Sequence, residues 1–132
     1  MMSDEATGPS MTPRMSLDVE PARDLVRITL AGFFAPGDIA RFVAARDAAH
    51  RELRCAPNQH LTLVDIRAMH IQAQDSVDGF RAVLANPDTV SRRIAFVVAR
   101  SLARLQIKRA ASGRDAGYFT TIEDAEAWLF ER

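Results

Sequence analysis

The chain has 132 residues, 48% of them apolar and 26% charged, with 6 glycines and 6 prolines, a composition that excludes disordered and collagen-like classes and fits one packed domain. Its 17 basic and 17 acidic residues cancel, so no global field draws it to nucleic acid or to an anionic membrane. A single cysteine, Cys55, excludes an intrachain disulfide and a multi-cysteine metal site, and no run approaches the ~20 apolar residues of a membrane span; the expectation is a cytoplasmic domain with no nucleic-acid partner and no membrane-spanning segment.

Residues 1–14 show no periodicity and offer little apolar surface, which reads as a flexible tail ahead of a domain over 15–132. Leu17 and Val19 alternate around Asp18, Pro21 interrupts, and Leu25–Leu30 resumes, which predicts a hairpin with its turn near Pro21–Asp24. Gly32 and Pro36-Gly37-Asp38 close that strand. Ile39, Phe42, Val43, Arg46 and Leu53 then follow at helical spacing to about Arg54, with Asp38 in the first turn or its cap. Pro57-Asn58 breaks the helix, and Leu61–Ile66 is the nearly continuous apolar run of a strand buried on both faces.

The polar stretch Gln72–Ser76 leads into a second helix carrying Val77, Phe80, Val83 and Leu84, with Asp75 or Ser76 as its N-cap and Asn86-Pro87 at its end. Ile94–Val98 reads as another buried strand, followed by a helix with Leu102, Leu105 and Ile107, and then a Gly113–Gly117 connection. A short strand falls around Tyr118-Phe119. Thr121 and Asp124 have capping-box spacing before a last helix whose inner face is Ala125, Trp128 and Leu129. The order β-β-α-β-α-β-α-β-α predicts a single small α/β domain, a mixed, mainly parallel sheet of about five strands flanked by helices.

Four blocks carry a family resemblance: Leu30-Ala31-Gly32, Leu63-Val64-Asp65-Ile66, Arg93-Ile94-Ala95-Phe96-Val97, and Tyr118-Phe119 followed by Asp124-Ala125-Glu126-Ala127-Trp128-Leu129. In order and spacing, over about Met15–Glu131, they resemble the SpoIIAA-like branch of STAS domains, also described as STAS/SEC14. The resemblance implies a compact sheet flanked by helices and regulatory binding in place of turnover. In the anti-sigma-factor antagonists a serine opening the second helix is phosphorylated by a partner kinase, which controls the choice of partner. Asp75-Ser76 matches that position, which makes Ser76 the candidate phosphoacceptor. The family's Ser-Gly-Leu-Gly is here Ser76-Val77-Asp78-Gly79, a departure at the residues that follow the serine.

The loops around Gly32–Pro36 and Arg67–Ser76 are expected at one sheet edge, giving a candidate binding surface of Phe33, Phe34, Met69, His70, Asp75 and Ser76. Ser76 at a helix start suits a small anionic ligand such as phosphate, or serves only as a cap. Phe33 and Phe34 either line an apolar pocket with Met69 and Ile71 or plug the end of the core. Asp65, His70 and Ser76 contain the residue types of a hydrolase triad, but no Gly-x-Ser-x-Gly elbow surrounds Ser76. His50, His60 and His70 lack zinc spacing, and no Gly-x-Gly-x-x-Gly or Walker motif occurs, so neither metal nor cofactor is expected.

Between Asp88 and Asp115 the basic residues Arg92, Arg93, Arg100, Arg104, Lys108, Arg109 and Arg114 outnumber the acids, and Arg100, Arg104 and Lys108 share a helix face. That face either meets an acidic partner or lipid headgroup or is the solvated side of the helix. The acidic Glu123–Glu131 segment offsets it, within one chain or across a homodimer. The leading expectation is a non-enzymatic regulatory or scaffold domain that binds a protein; the alternative is a carrier of a small apolar or lipid-like ligand, and the third reading is a hydrolase.

Overall fold

The computed structural model describes residues 12–69, 72–99 and 116–131. The N-terminal segment through Met11, His70, Ile71, and the basic stretch with Arg100, Arg104 and Lys108 together with the helix expected there lie outside the described residues.

Alternating side chains make β1 (Arg14–Glu20), with Met15, Leu17 and Val19 against the core and Arg14, Ser16 and Asp18 exposed. The expected turn is present. Pro21–Arg23 form one 3-10 turn and Asp24 takes a left-handed φ of 48°, a conformation Asp tolerates because its short side chain bonds locally. Strand β2 (Leu25–Gly32) returns antiparallel to β1, with Leu17 opposite Ile28.

Helix α1 (Pro36–His50) opens with Pro36, whose missing N–H is no loss in a first turn, and with Asp38, whose Oδ2 accepts from the Ala35 N–H at 2.8 Å. It ends at His50, short of the expected Arg54. Beyond it the chain tightens into i to i−3 bonds through Leu53, and Asp24 Oδ1 accepts from the Arg54 and Cys55 N–H groups at 2.9 and 3.1 Å, turning the chain away.

The apolar runs at 61–66 and 94–98 lie in adjacent interior strands, β3 (Leu61–Met69) and β4 (Arg93–Val97), with Leu63 beside Ala95 and Val64 beside Phe96. β5 (Ala116–Phe119) completes a five-stranded mixed sheet in the order β1-β2-β3-β4-β5, parallel from β2 to β5. β3 continues past Ile66 to Met69, so the expected Arg67–Ser76 loop begins later. Its pairing with β2 steps from Thr29–Asp65 to Ala31–Ala68, which inserts one extra residue on β3. The bulge moves Met69, and not Ala68, onto the face shared by Thr62, Val64 and Ile66.

Helix α2 (Gln74–Ala85) is N-capped by Ala73 and not by Asp75 or Ser76, which fall inside its first turn. Ser76, the third helical residue, lies past the cap position, and its hydroxyl donates to the Phe34 carbonyl. Successive right-handed crossovers stepping one way across a sheet leave their helices on one face. Accordingly Phe42 of α1 and Phe80 of α2 share a core with Val26, Ile28, Val64 and Phe96. The last helix, α3 (Ile122–Leu129), covers the other face, where Ala125 and Leu129 meet Leu63, Ala95 and Val97. Thr121 Oγ1 accepts from the Asp124 N–H at 3.2 Å, the cap the spacing predicts. Trp128 is half-buried, its indole 5.1 Å under the Arg93 guanidinium.

Candidate functional site

The carboxyl ends of β2 and β3 form a rim joined by three buried hydrogen bonds. Gln72, 8% exposed, accepts from the Phe34 N–H at 2.8 Å through Oε1 and donates from Nε2 to the Gly32 carbonyl at 3.1 Å. Ser76, 1% exposed, donates from Oγ to the Phe34 carbonyl at 2.5 Å. One glutamine and one serine thus fix the β2–α1 loop to the start of α2. Such bonds matter because a buried amide or carbonyl left without a partner costs about 1–3 kcal/mol.

Of the residues the sequence assigns to this rim, Phe34 and Ser76 are brought into direct contact. Phe34 is fully buried with its ring 5.8 Å from that of Phe80, the plug at the end of the core. Phe33 is half-buried and Asp75 exposed. Met69 pairs with Gly32 in the sheet, and its side chain lines a cavity below the rim. His70 and Ile71 lie outside the described residues. Gln72, the residue that holds the rim together, lies in the polar stretch before α2, and nothing in the sequence singles it out there.

The cavity, about 70 Å³, lies between the sheet and the α1–α2 pair. Its walls are apolar, from Ile28, Val64, Phe42, Phe80 and Phe96, and polar groups join them from Arg46, His50, Thr62 and Ser91. Thr62 and Ser91 lie toward the amino ends of β3 and β4, and Arg46 and His50 near the carboxyl end of α1, so the polar end is opposite the rim. Thr62 Oγ1 and Ser91 Oγ are 2.6 Å apart, one donating to the other. Asn58, at φ 66°, donates from Nδ2 to the Pro87 and Val90 carbonyls and ties the two loops at this end together.

Arg46 is 7% exposed, on the same helix face as Ile39, Phe42 and Ala49. Its Nη2 reaches Asp47 Oδ1 at 3.2 Å, and its Nε–H has no acceptor. The His50 ring lies 4.5 Å from the ring of buried His60. Burial, then the positive charge of Arg46, push His50 below its ordinary range, with Asp47 opposing. A histidine depressed in the fold binds its proton more readily once unfolded, so stability falls as pH drops from about 6.5 toward the folded value. Urea midpoints at pH 7.5, 6.5 and 5.5 are expected to show a loss below about 1 kcal/mol, because the ring is only half-buried. The loss in this window is expected to shrink in His50→Gln.

Of the residues of the hydrolase reading, Asp65 and Ser76 do not converge, and His70 lies outside the described residues. Asp65 lies on the α3 side of the sheet, beside Val97, and the bonded Arg67 guanidinium, at 3.0 and 2.8 Å, holds it below the ordinary carboxylate range. Ser76 is buried on the α2 side. Burial and the Asp24 carboxylate push the Cys55 thiol up, opposite to what a nucleophile requires. Among the described residues no cluster of His, Cys, Asp or Glu is arranged to hold a metal ion, and no helix is long and apolar enough to cross a membrane.

Among the described residues, a mixed five-stranded sheet with α1 and α2 on one face and α3 on the other places the chain among small α/β domains. More narrowly, it has the SpoIIAA-like fold. It superposes on an uncharacterised protein of the DUF3478 family with a SpoIIAA-like fold from Shewanella loihica PV-4, with a TM-score of 0.69 at 14% identity over 91% of this chain and 97% of that one. It also superposes on an anti-sigma factor antagonist from Mycobacterium paratuberculosis, with a TM-score of 0.54 at 10% identity over 88% and 94%. No family model and no curated protein matches the sequence.

Proposed function

We propose that the chain is a non-enzymatic regulatory or scaffold domain that binds a protein partner through the carboxyl rim. The observation that carries this reading is the fold shared with an anti-sigma factor antagonist. The rim supports it. Ala35, Pro36, Gly37, Gln74, Asp75 and Asp78 are exposed around the Gln72–Ser76 clamp, a preorganised surface on rigid elements. A phosphate on Ser76 requires the Oγ–Phe34 bond to break first, so modification and release of the β2–α1 loop are coupled in this reading.

Affinity capture with quantitative mass spectrometry tests the surface. The reading expects at least tenfold loss of a specific partner in Asp75→Arg, an exposed site whose change leaves the fold intact, and retention in Glu52→Lys at the opposite edge. Capture indifferent to both Asp75→Arg and Asp78→Arg overturns it.

A second reading, carriage of a small apolar ligand, draws its support from the cavity under α1 and α2. At about 70 Å³ the space suits a short chain and not a full lipid tail.

A further inference from the structure

We propose that the cavity is a receptor for a short aliphatic monocarboxylate, its chain against Ile28, Val64 and Phe96 and its carboxylate on Arg46, next to the Thr62–Ser91 hydroxyl pair. This inference rests on the carrier reading and gives it a ligand class and a recognition residue.

Burial of Arg46 is the first argument. An arginine keeps its charge, and a buried charge lacking full pairing is costly enough that proteins seldom retain one without an anion to meet it. Asp47 supplies one hydrogen bond from an exposed position, and the Nε–H is left without an acceptor although it is enclosed. Guanidinium geometry favours a planar, two-oxygen acceptor. In the Thr62–Ser91 pair one hydroxyl donates to the other, which leaves the second O–H able to donate to the same anion.

Size and charge narrow the ligand. At roughly 10–15 Å³ for a water-sized group, a cavity of about 70 Å³ takes about five to seven heavy atoms, a carboxylate of about three to five carbons in all. Asp47 meets the guanidinium only from its exposed, water-screened side, so within the enclosed part of the site the single cation Arg46 matches one carboxylate and a dianion overfills it. His50, pushed toward its neutral form, adds no second cation. Apolar walls with a single cationic end match an amphiphile and not a free inorganic ion.

Titration of the intact chain with pentanoate, pentan-1-ol and inorganic phosphate, followed by amide chemical shifts, tests this. Pentanoate is expected to bind at least tenfold tighter than pentan-1-ol and to move the signals of Arg46, His50, Thr62 and Ser91; phosphate is expected not to saturate. Arg46→Met is expected to abolish the preference while the alcohol still binds, and to melt no lower than wild type, because it removes a poorly paired buried charge. Should that variant not fold, Thr62→Val provides the second reading, with pentanoate weakened severalfold and pentan-1-ol unchanged. Equal binding of acid and alcohol overturns the carboxylate site and leaves the carrier reading standing. Shifts confined to other residues, or phosphate binding as well as pentanoate, also overturn the site. No binding of either five-carbon probe overturns both readings.

Discussion

Gln72→Leu is expected to lower the unfolding free energy by about 3 kcal/mol at nearly constant side-chain volume. The substitution removes two hydrogen bonds and leaves the Phe34 N–H and the Gly32 carbonyl without their partner in a buried place. Each orphaned group costs about 1–3 kcal/mol, and leucine gives back some of this through apolar burial. Ser76→Ala, which orphans only the Phe34 carbonyl, is expected to cost about 1–2 kcal/mol. The double variant is expected to cost less than the sum of the two. Once the loop is freed by one substitution, the Phe34 carbonyl reaches water and the second change removes little. Urea midpoints of the four proteins measure the coupling, and amide exchange at Phe34 shows whether the loop has opened. Strict additivity, or unchanged protection at Phe34, is incompatible with a shared clamp.

Why the clamp was hidden in the sequence follows from what sets burial. Leu61–Val64, broken only by Thr62, and the continuous Ile94–Val98 are apolar runs, so their place in the sheet interior is written locally. Gln72 stands among Ala73, Gln74 and Asp75, with nothing local to distinguish it; its burial is created by two backbone groups about forty positions earlier in the chain. The end of β3 is hidden for a related reason. Arg67 ends the apolar run after Ile66, yet the bulge and the pairing of Ala31 with Ala68 carry the strand on. Asp75 and Ser76 have the chemistry of caps, but α2 starts earlier than that chemistry suggests, at Gln74, and inside its first turn Ser76 donates to the Phe34 carbonyl. Arg46 did carry a signal. It falls on the stripe of Ile39, Phe42 and Ala49, and a charge in an apolar stripe is the pattern that marks a buried ionic group. His50 and His60, separated by a helix end and a turn, are legible as residues but not as a pair of tilted, touching rings, because the α1–β3 connection sets their distance.

Gly32→Ala is expected to be at least as damaging as the loss of Gln72, by about 3 kcal/mol or more, through two independent causes. The residue has φ +87°, where an L side chain is strained by about 1–3 kcal/mol. A Cβ there would also stand 2.3 Å from the Thr12 carbonyl oxygen and 3.2 Å from the Pro13 Cα, backbone atoms that cannot swing aside as a side chain can. Relief by moving β2 would drag the Gly32 carbonyl off Gln72 and shift the pairing with Met69, so the rim loosens together with the strand end. Gly37 is the control. It lies in the first turn of α1 with no heavy atom within 4 Å of a built Cβ, so Gly37→Ala is expected to be neutral or to stabilise by up to about 1 kcal/mol through a less flexible unfolded chain. Thermal melts of the two variants side by side separate a specific backbone requirement at the rim from a general effect of replacing a glycine. If Gly32→Ala melts with the wild type, the sheet edge is looser than the Gly32–Gln72 contact implies, and the rim cannot be the preorganised surface on which the protein-binding reading depends.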